Sequence, residues 1–257
     1  MTPSERLGHQ IRASLVLISI LATIAFNALS QILPLMGRTA GDISDAYPVP
    51  FTPAGYVFSI WSVIYVGLIA YAIWQARPAQ WTNPHLQQAA PWVLLSGALN
   101  VAWLVAWHAL AFVPSLVIIV LLLASVARVY ALARRAAHGS TAGTVFARLP
   151  FAVYVGWLSV ATIANASVLG WSLGWQGAPW SAETWTVIMI LIATVLGLAF
   201  LRFDRNVPYV AVLIWAFIGI AVAVGFPSLV ASVAVTVVAL LLGGAIGVLM
   251  QRPGRTA

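Results

Sequence analysis

Two stretches of the chain set an amide and aromatic rings at helical spacing. Asn100, Trp103 and Trp107 fall at i, i+3 and i+7, which on a helix stacks one amide and two indoles along a single face. Tyr154, Trp157, Ala161 and Asn165 repeat the pattern at i, i+3, i+7 and i+11, with Ala161 leaving a slot between larger groups. Indole faces, N–H donors and a side-chain amide are the parts of a site that holds a flat apolar molecule and orients it with few hydrogen bonds. The same pattern also serves plain helix packing, the small residue allowing close approach and the amides acting as glue. Both readings stand at this point. A third segment, Pro50 to Tyr65, runs through two prolines and a glycine into a helix bearing Phe58, Trp61 and Tyr65. Irregular backbone of this kind is tolerated at membrane depth where it is buried in protein or lines a cavity, and it is suited to lid one.

Covalent and acid–base chemistry finds no such parts. The chain has no cysteine, which removes disulfides, thioether haem attachment and thiolate metal sites together. Its five acids fall in loops or tails, and no Ser, His and Asp group or metal-ligand cluster converges. His108, at the outer end of an apolar run, is the one imidazole inside a span, and it reads as an interface residue that supports haem ligation weakly. With no acid inside any run, proton- or sodium-coupled transport also loses its usual parts. Asn27, Asn100 and Asn165 sit at similar depth and are expected to form one polar layer.

The elements that must position these residues are membrane helices. Hydrophobic residues make up 62% of 257 positions and charged residues 7%, against roughly a quarter charged in a soluble domain. Runs at 12–34, 54–76, 89–109, 113–133, 149–171, 182–201, 208–225 and 228–250 each approach the ~20 residues a bilayer span requires. Gly225, Phe226 and Pro227 alone separate the last two. The fold expected is an all-α membrane protein of about eight transmembrane helices. An apolar start behind Arg6 and Arg12 also resembles a signal peptide, but is read as a retained first span.

The net charge of +7 is topological and excludes a nucleic-acid partner. Every basic residue is Arg, and eleven of the twelve lie on alternate connections or near the helix ends beside them, with Arg38 the exception. By the positive-inside rule both termini are cytoplasmic, in what is expected to be a bacterial plasma membrane. Of the twelve Trp residues, Trp74, Trp81 and Trp92 at the inner side and Trp171, Trp175, Trp180 and Trp185 at the outer side read as an aromatic belt. Trp61, Trp103, Trp107, Trp157 and Trp215 lie deeper, as pocket or packing residues.

The segment Pro53 to Tyr65, the face Asn100, Trp103, Trp107 and the face Tyr154, Trp157, Ala161, Asn165 together resemble the TspO/MBR family, the tryptophan-rich sensory proteins related to the translocator protein or peripheral benzodiazepine receptor. The resemblance covers residues 12–171 and implies a five-helix core, with three additional helices over 182–250. It departs at two points: Phe58 and Trp61 are three apart where the family usually has four, and Tyr56 stands where a Trp is typical. It implies a pocket roofed by the first loop and lined by Phe58, Trp61, Tyr65, Asn100, Trp103, Trp107, Tyr154, Trp157, Ala161 and Asn165, for a porphyrin, haem or sterol-like ligand. Arg38, in that loop, is placed to pair with a carboxylate such as a propionate, or is a solvated loop charge. No cofactor is required beyond such a ligand. The functions implied, in order, are a binding protein or sensor, a carrier of an apolar or amphipathic compound, and an enzyme degrading its bound porphyrin. Partners are the lipid bilayer and a hydrophobic small molecule, with a homodimer left open.

Overall fold

The computed structural model describes residues 2–33, 35–175 and 177–251. Among them the secondary structure is helical throughout, and eight helices are long and apolar enough to cross a bilayer. In chain order the helices are α1 (Pro3–Ile32), the short α2 (Ala40–Asp45), α3 (Ile60–Gln75), α4 (Pro84–His108), α5 (Phe112–Ala136), the single turn α6 (Thr141–Gly143), α7 (Leu149–Ser172), α8 (Ala182–Asp204), α9 (Val207–Val224) and α10 (Leu229–Met250). Arg252 and Arg255, which enter the charge-based orientation, lie outside the described residues.

Local signals fix most ends. α1 begins at Pro3, not near residue 12, because Thr2 and Glu5 form a reciprocal capping box around a proline in the first turn. Arg6 and Arg12 therefore ride on the helix itself. α4 likewise begins at Pro84, where the Asn83 side chain accepts the His85 and Leu86 N–H groups. Ser181, Asn206 and Ser228 cap α8, α9 and α10 in the same way. Arg205 ends α8 in a left-handed conformation, and its guanidinium donates to the carbonyls of Val248 at 2.7 Å and Gln251 at 3.0 Å. A cation thus meets acceptors left over at the end of α10.

The chain divides into two units. The first holds residues 1–46 and 58–158, that is α1 to α6 and the first part of α7. One close seam joins α1 to α4: a Cβ on Gly97 would stand 2.6 Å from Ser19 Oγ and 2.8 Å from Thr23 Oγ1, so a larger residue there would have to displace both hydroxyls. The buried Gln75 donates to the Ala13 carbonyl at 3.1 Å and ties α3 to α1. Trp74 is buried beside it and so is not part of an aromatic belt.

The second unit holds residues 47–57 and 159–257. Here α8, α9 and α10 pack on one another, and Tyr209 stacks on Phe200 with ring centroids 4.1 Å apart while its hydroxyl donates to Ser159 Oγ at 3.2 Å. The proline-rich segment of the first connection belongs to this unit. The Ala54 N–H donates to the Gly219 carbonyl at 3.0 Å, the Trp215 indole donates to the Val57 carbonyl at 3.1 Å, and a Cβ at Gly219 would collide with Val57. The segment is pinned to α9.

Candidate functional site

In the first unit, α3, α4 and α7 gather the sequence-predicted aromatic residues. Trp61 stacks on Tyr65 at 5.6 Å, one turn apart on α3, and meets Tyr154 at 6.0 Å and Trp157 at 6.2 Å edge to face. Phe58, in the 3₁₀ turn before α3, meets Trp157 edge to face at 5.8 Å. Edge-to-face contact sets the positive rim of one ring against the negative face of the next.

A buried polar relay runs from α1 across α4 to this cluster. Asn27 Nδ2 donates to the Thr23 carbonyl and, at 2.7 Å, to Asn100 Oδ1, and Asn100 Nδ2 donates to the Tyr154 hydroxyl at 3.0 Å. Asn27 and Asn100 do form a layer, but the member that joins them is Tyr154. Asn165 is also buried, eleven residues further along α7 and in the second unit, as is the half-buried Ala161.

Trp103 and Trp107 form their own stacked pair on α4, with centroids 6.0 Å apart. Trp107 donates to the Ala40 carbonyl at 3.2 Å, which seats α2 over the end of α4. α2 is held in shape by Thr39 and Asp42: the Thr39 N–H donates to Asp42 Oδ2 at 2.8 Å, and the Asp42 N–H donates back to Thr39 Oγ1 at 3.1 Å. The Thr39 N–H, then its hydroxyl, hold the exposed Asp42 carboxyl below its usual range. Arg38, one residue before this turn, is exposed.

Two indole donors in the unit are unmatched. Trp103 Nε1 and Trp157 Nε1 are buried without an acceptor among the described residues. Such a donor costs roughly 1–3 kcal/mol relative to a satisfied one. His108 is not an interface residue: it is 2% exposed, its Nδ1 lies 2.7 Å from the Leu104 carbonyl, and its Nε2 has no partner among the described residues. Because a carbonyl can only accept, Nδ1 carries the proton and, in the neutral ring, Nε2 keeps a lone pair. Its position at the end of α4 gave the misleading signal. Among the described residues no group of three or more His, Asp or Glu is placed to hold a metal.

Neither a curated protein nor a solved structure matches the chain. A model of the family described as TSPO-like protein matches residues 13–248, a span that runs from α1 into α10. With that match over most of its length and eight helices fit to span a bilayer, this multi-pass integral membrane protein belongs to the TSPO-like protein family.

Proposed function

We propose that the protein binds a hydrophobic polycyclic ligand of porphyrin, haem or sterol type at the aromatic cluster of Phe58, Trp61, Tyr65, Tyr154 and Trp157, and that it acts as a sensor or receptor for it. The observation that carries this reading is the pair of buried, unmatched indole N–H groups on Trp103 and Trp157. Buried donors are ordinarily paired, and a ligand bearing ring or carboxylate acceptors supplies what the protein does not. The Tyr154 hydroxyl accepts from Asn100 and so turns its own hydrogen outward from the relay. The rings around it offer stacking surface for a flat molecule.

For haem, His108 fits the role of iron ligand in one respect, its buried Nε2 lone pair. Iron would supply a Lewis-acidic centre for that lone pair. What the chain itself contributes is the tautomer, set by Leu104. Membership of the TSPO-like protein family, which suggests binding of a hydrophobic ligand, supports this reading.

Titration of the purified protein in detergent with protoporphyrin IX and with haem, followed by tryptophan quenching, tests it. Saturable quenching is expected, weakened roughly fivefold in Trp103→Phe or Trp157→Phe for each lost hydrogen bond of about 1 kcal/mol. His108→Ala is expected to weaken haem and leave protoporphyrin IX unchanged. If both Trp variants bind as the parent does, this site is wrong.

A further inference from the structure

The second unit holds a cavity of about 250 Å³ that the aromatic cluster does not use. It opens between the second half of α7, the start of α8 and the Val49–Pro50 corner, with Trp171, Trp175, Trp185 and Met189 among its walls and Ala166 at its edge. Read from sequence, these tryptophans form an interfacial belt. The geometry adds a second task to that one.

Two of the indoles are locked by their own hydrogen bonds. Trp175 Nε1 donates to the Ala178 carbonyl at 3.0 Å and Trp185 Nε1 to the Gly177 carbonyl at 2.8 Å, and the two rings lie 5.5 Å apart at 58°. Gly170 admits the Trp175 ring so closely that a Cβ there would stand 2.9 Å from Cε3. Their faces are thus preset without a ligand, which lowers the ordering cost of binding. Ser167 and Thr186 spend their hydroxyls on the carbonyls of Ile163 and Ala182. Trp171 differs: half-buried, its indole N–H has no acceptor among the described residues and is open to a partner from outside the protein.

Among the described residues no ionisable side chain lines the cavity. The N-terminus of α8 beside it is already served by the Ser181 hydroxyl and by Glu183 in the first turn, so it offers nothing to an anion. Size narrows the class further. A cavity of about 150 Å³ holds one benzene ring, so this one holds about two rings and is too small for a tetrapyrrole.

From these walls we infer that the second unit carries a separate binding site for a neutral, flat aromatic molecule of about two fused rings bearing one hydrogen-bond acceptor. The rings stack on Trp175 and Trp185, and the acceptor takes the Trp171 N–H. A lipid acyl chain would fill the volume but would gain neither stacking on the indoles nor a hydrogen bond from the Trp171 N–H.

The test uses the full chain in detergent, with 2-acetylnaphthalene as probe and its anionic counterpart 2-naphthoate as control. Calorimetry is expected to give one saturable site for the ketone, bound at least tenfold more tightly than the carboxylate. Ala166→Phe, which fills the cavity from its edge, is expected to abolish binding, and Trp171→Phe to weaken it roughly fivefold, the equivalent of one hydrogen bond. In protein labelled with 5-fluorotryptophan, the resonances of Trp171 and Trp185 should move with saturation while that of Trp157 stays, which separates this site from the aromatic cluster. Equal affinity for the carboxylate, indifference to Ala166→Phe, or displacement of the probe by added oleoyl phosphatidylcholine would each overturn the proposal, the last by assigning the cavity to acyl chains.

Discussion

At the scale of single residues, what matters is whether a polar group inside the bundle has a partner. Asn100 holds two at once, Asn27 on α1 and Tyr154 on α7. Replacing it with leucine takes one of two partners from the Asn27 amide, which keeps the Thr23 carbonyl, and removes the Asn100 donor from the buried Tyr154 hydroxyl, at an expected cost of roughly 1–3 kcal/mol in unfolding from micelles. Asn27→Ala and Asn100→Ala should be non-additive by about 0.6 kcal/mol, and by no more than about 1.7 kcal/mol, the average and the maximum for hydrogen bonds between membrane helices. Additivity would show that the 2.7 Å contact does not matter in the membrane. The aromatic members of this region were legible because an amide and two indoles at helical spacing leave few faces on which to lie. Tyr154 as the third member of the polar layer was not, since depth along a span says nothing of which helix stands opposite. Trp74 and His108 misled for a related reason. Their positions near span ends suggest the interface, whereas burial is decided by the neighbouring helix.

At the scale of elements, the helices were readable and their ends less so. Apolar runs report the part of a helix that lipid requires, not the polar turns beyond it. Thr2-Pro3-Ser4-Glu5 is a capping signal that lies before the apolar run, and it extends α1 by nine residues relative to a reading from hydropathy alone. The short α2 was not foreseen, although Thr39 and Asp42 show the same reciprocal pattern. That pair makes α2 sensitive to acid. Its folded carboxyl titrates below its unfolded one, so the stability it adds is fully present above the unfolded value and is lost as pH falls through the folded value. Amide protection over residues 40–46, taken relative to the intrinsic exchange rate at each pH, should therefore be constant through neutral pH and fall only in acid below the ordinary carboxylate range. Asp42→Asn should show the lowered protection already at neutral pH. If that variant protects α2 as the parent does, the pair does not hold it.

At the scale of the molecule, eight spans followed from composition and length, whereas the division of contacts did not. No periodicity in residues 47–57 announces that they pack on α9. The signals that exist are small ones, Gly219 where Val57 must approach and Trp215 where an indole must find a carbonyl. A chain truncated after residue 204 lacks both. In it the Tyr47–Val57 segment is expected to be cut by added protease roughly tenfold faster than in the full chain, as an element without its packing partner opens freely. Equal rates would mean that α9 does not hold the segment.

The bond between Trp215 and Val57 also joins positions 158 residues apart. Ribosomes add about 5–20 residues per second, so the first connection is synthesised on the order of 10 seconds before its anchor exists. Through that interval Phe51 and Val57, both buried in the finished protein, have no place to go. Capture of the loop is then a late event in biogenesis, and a nascent chain stalled ahead of α9 would present those side chains to chaperones and proteases alike.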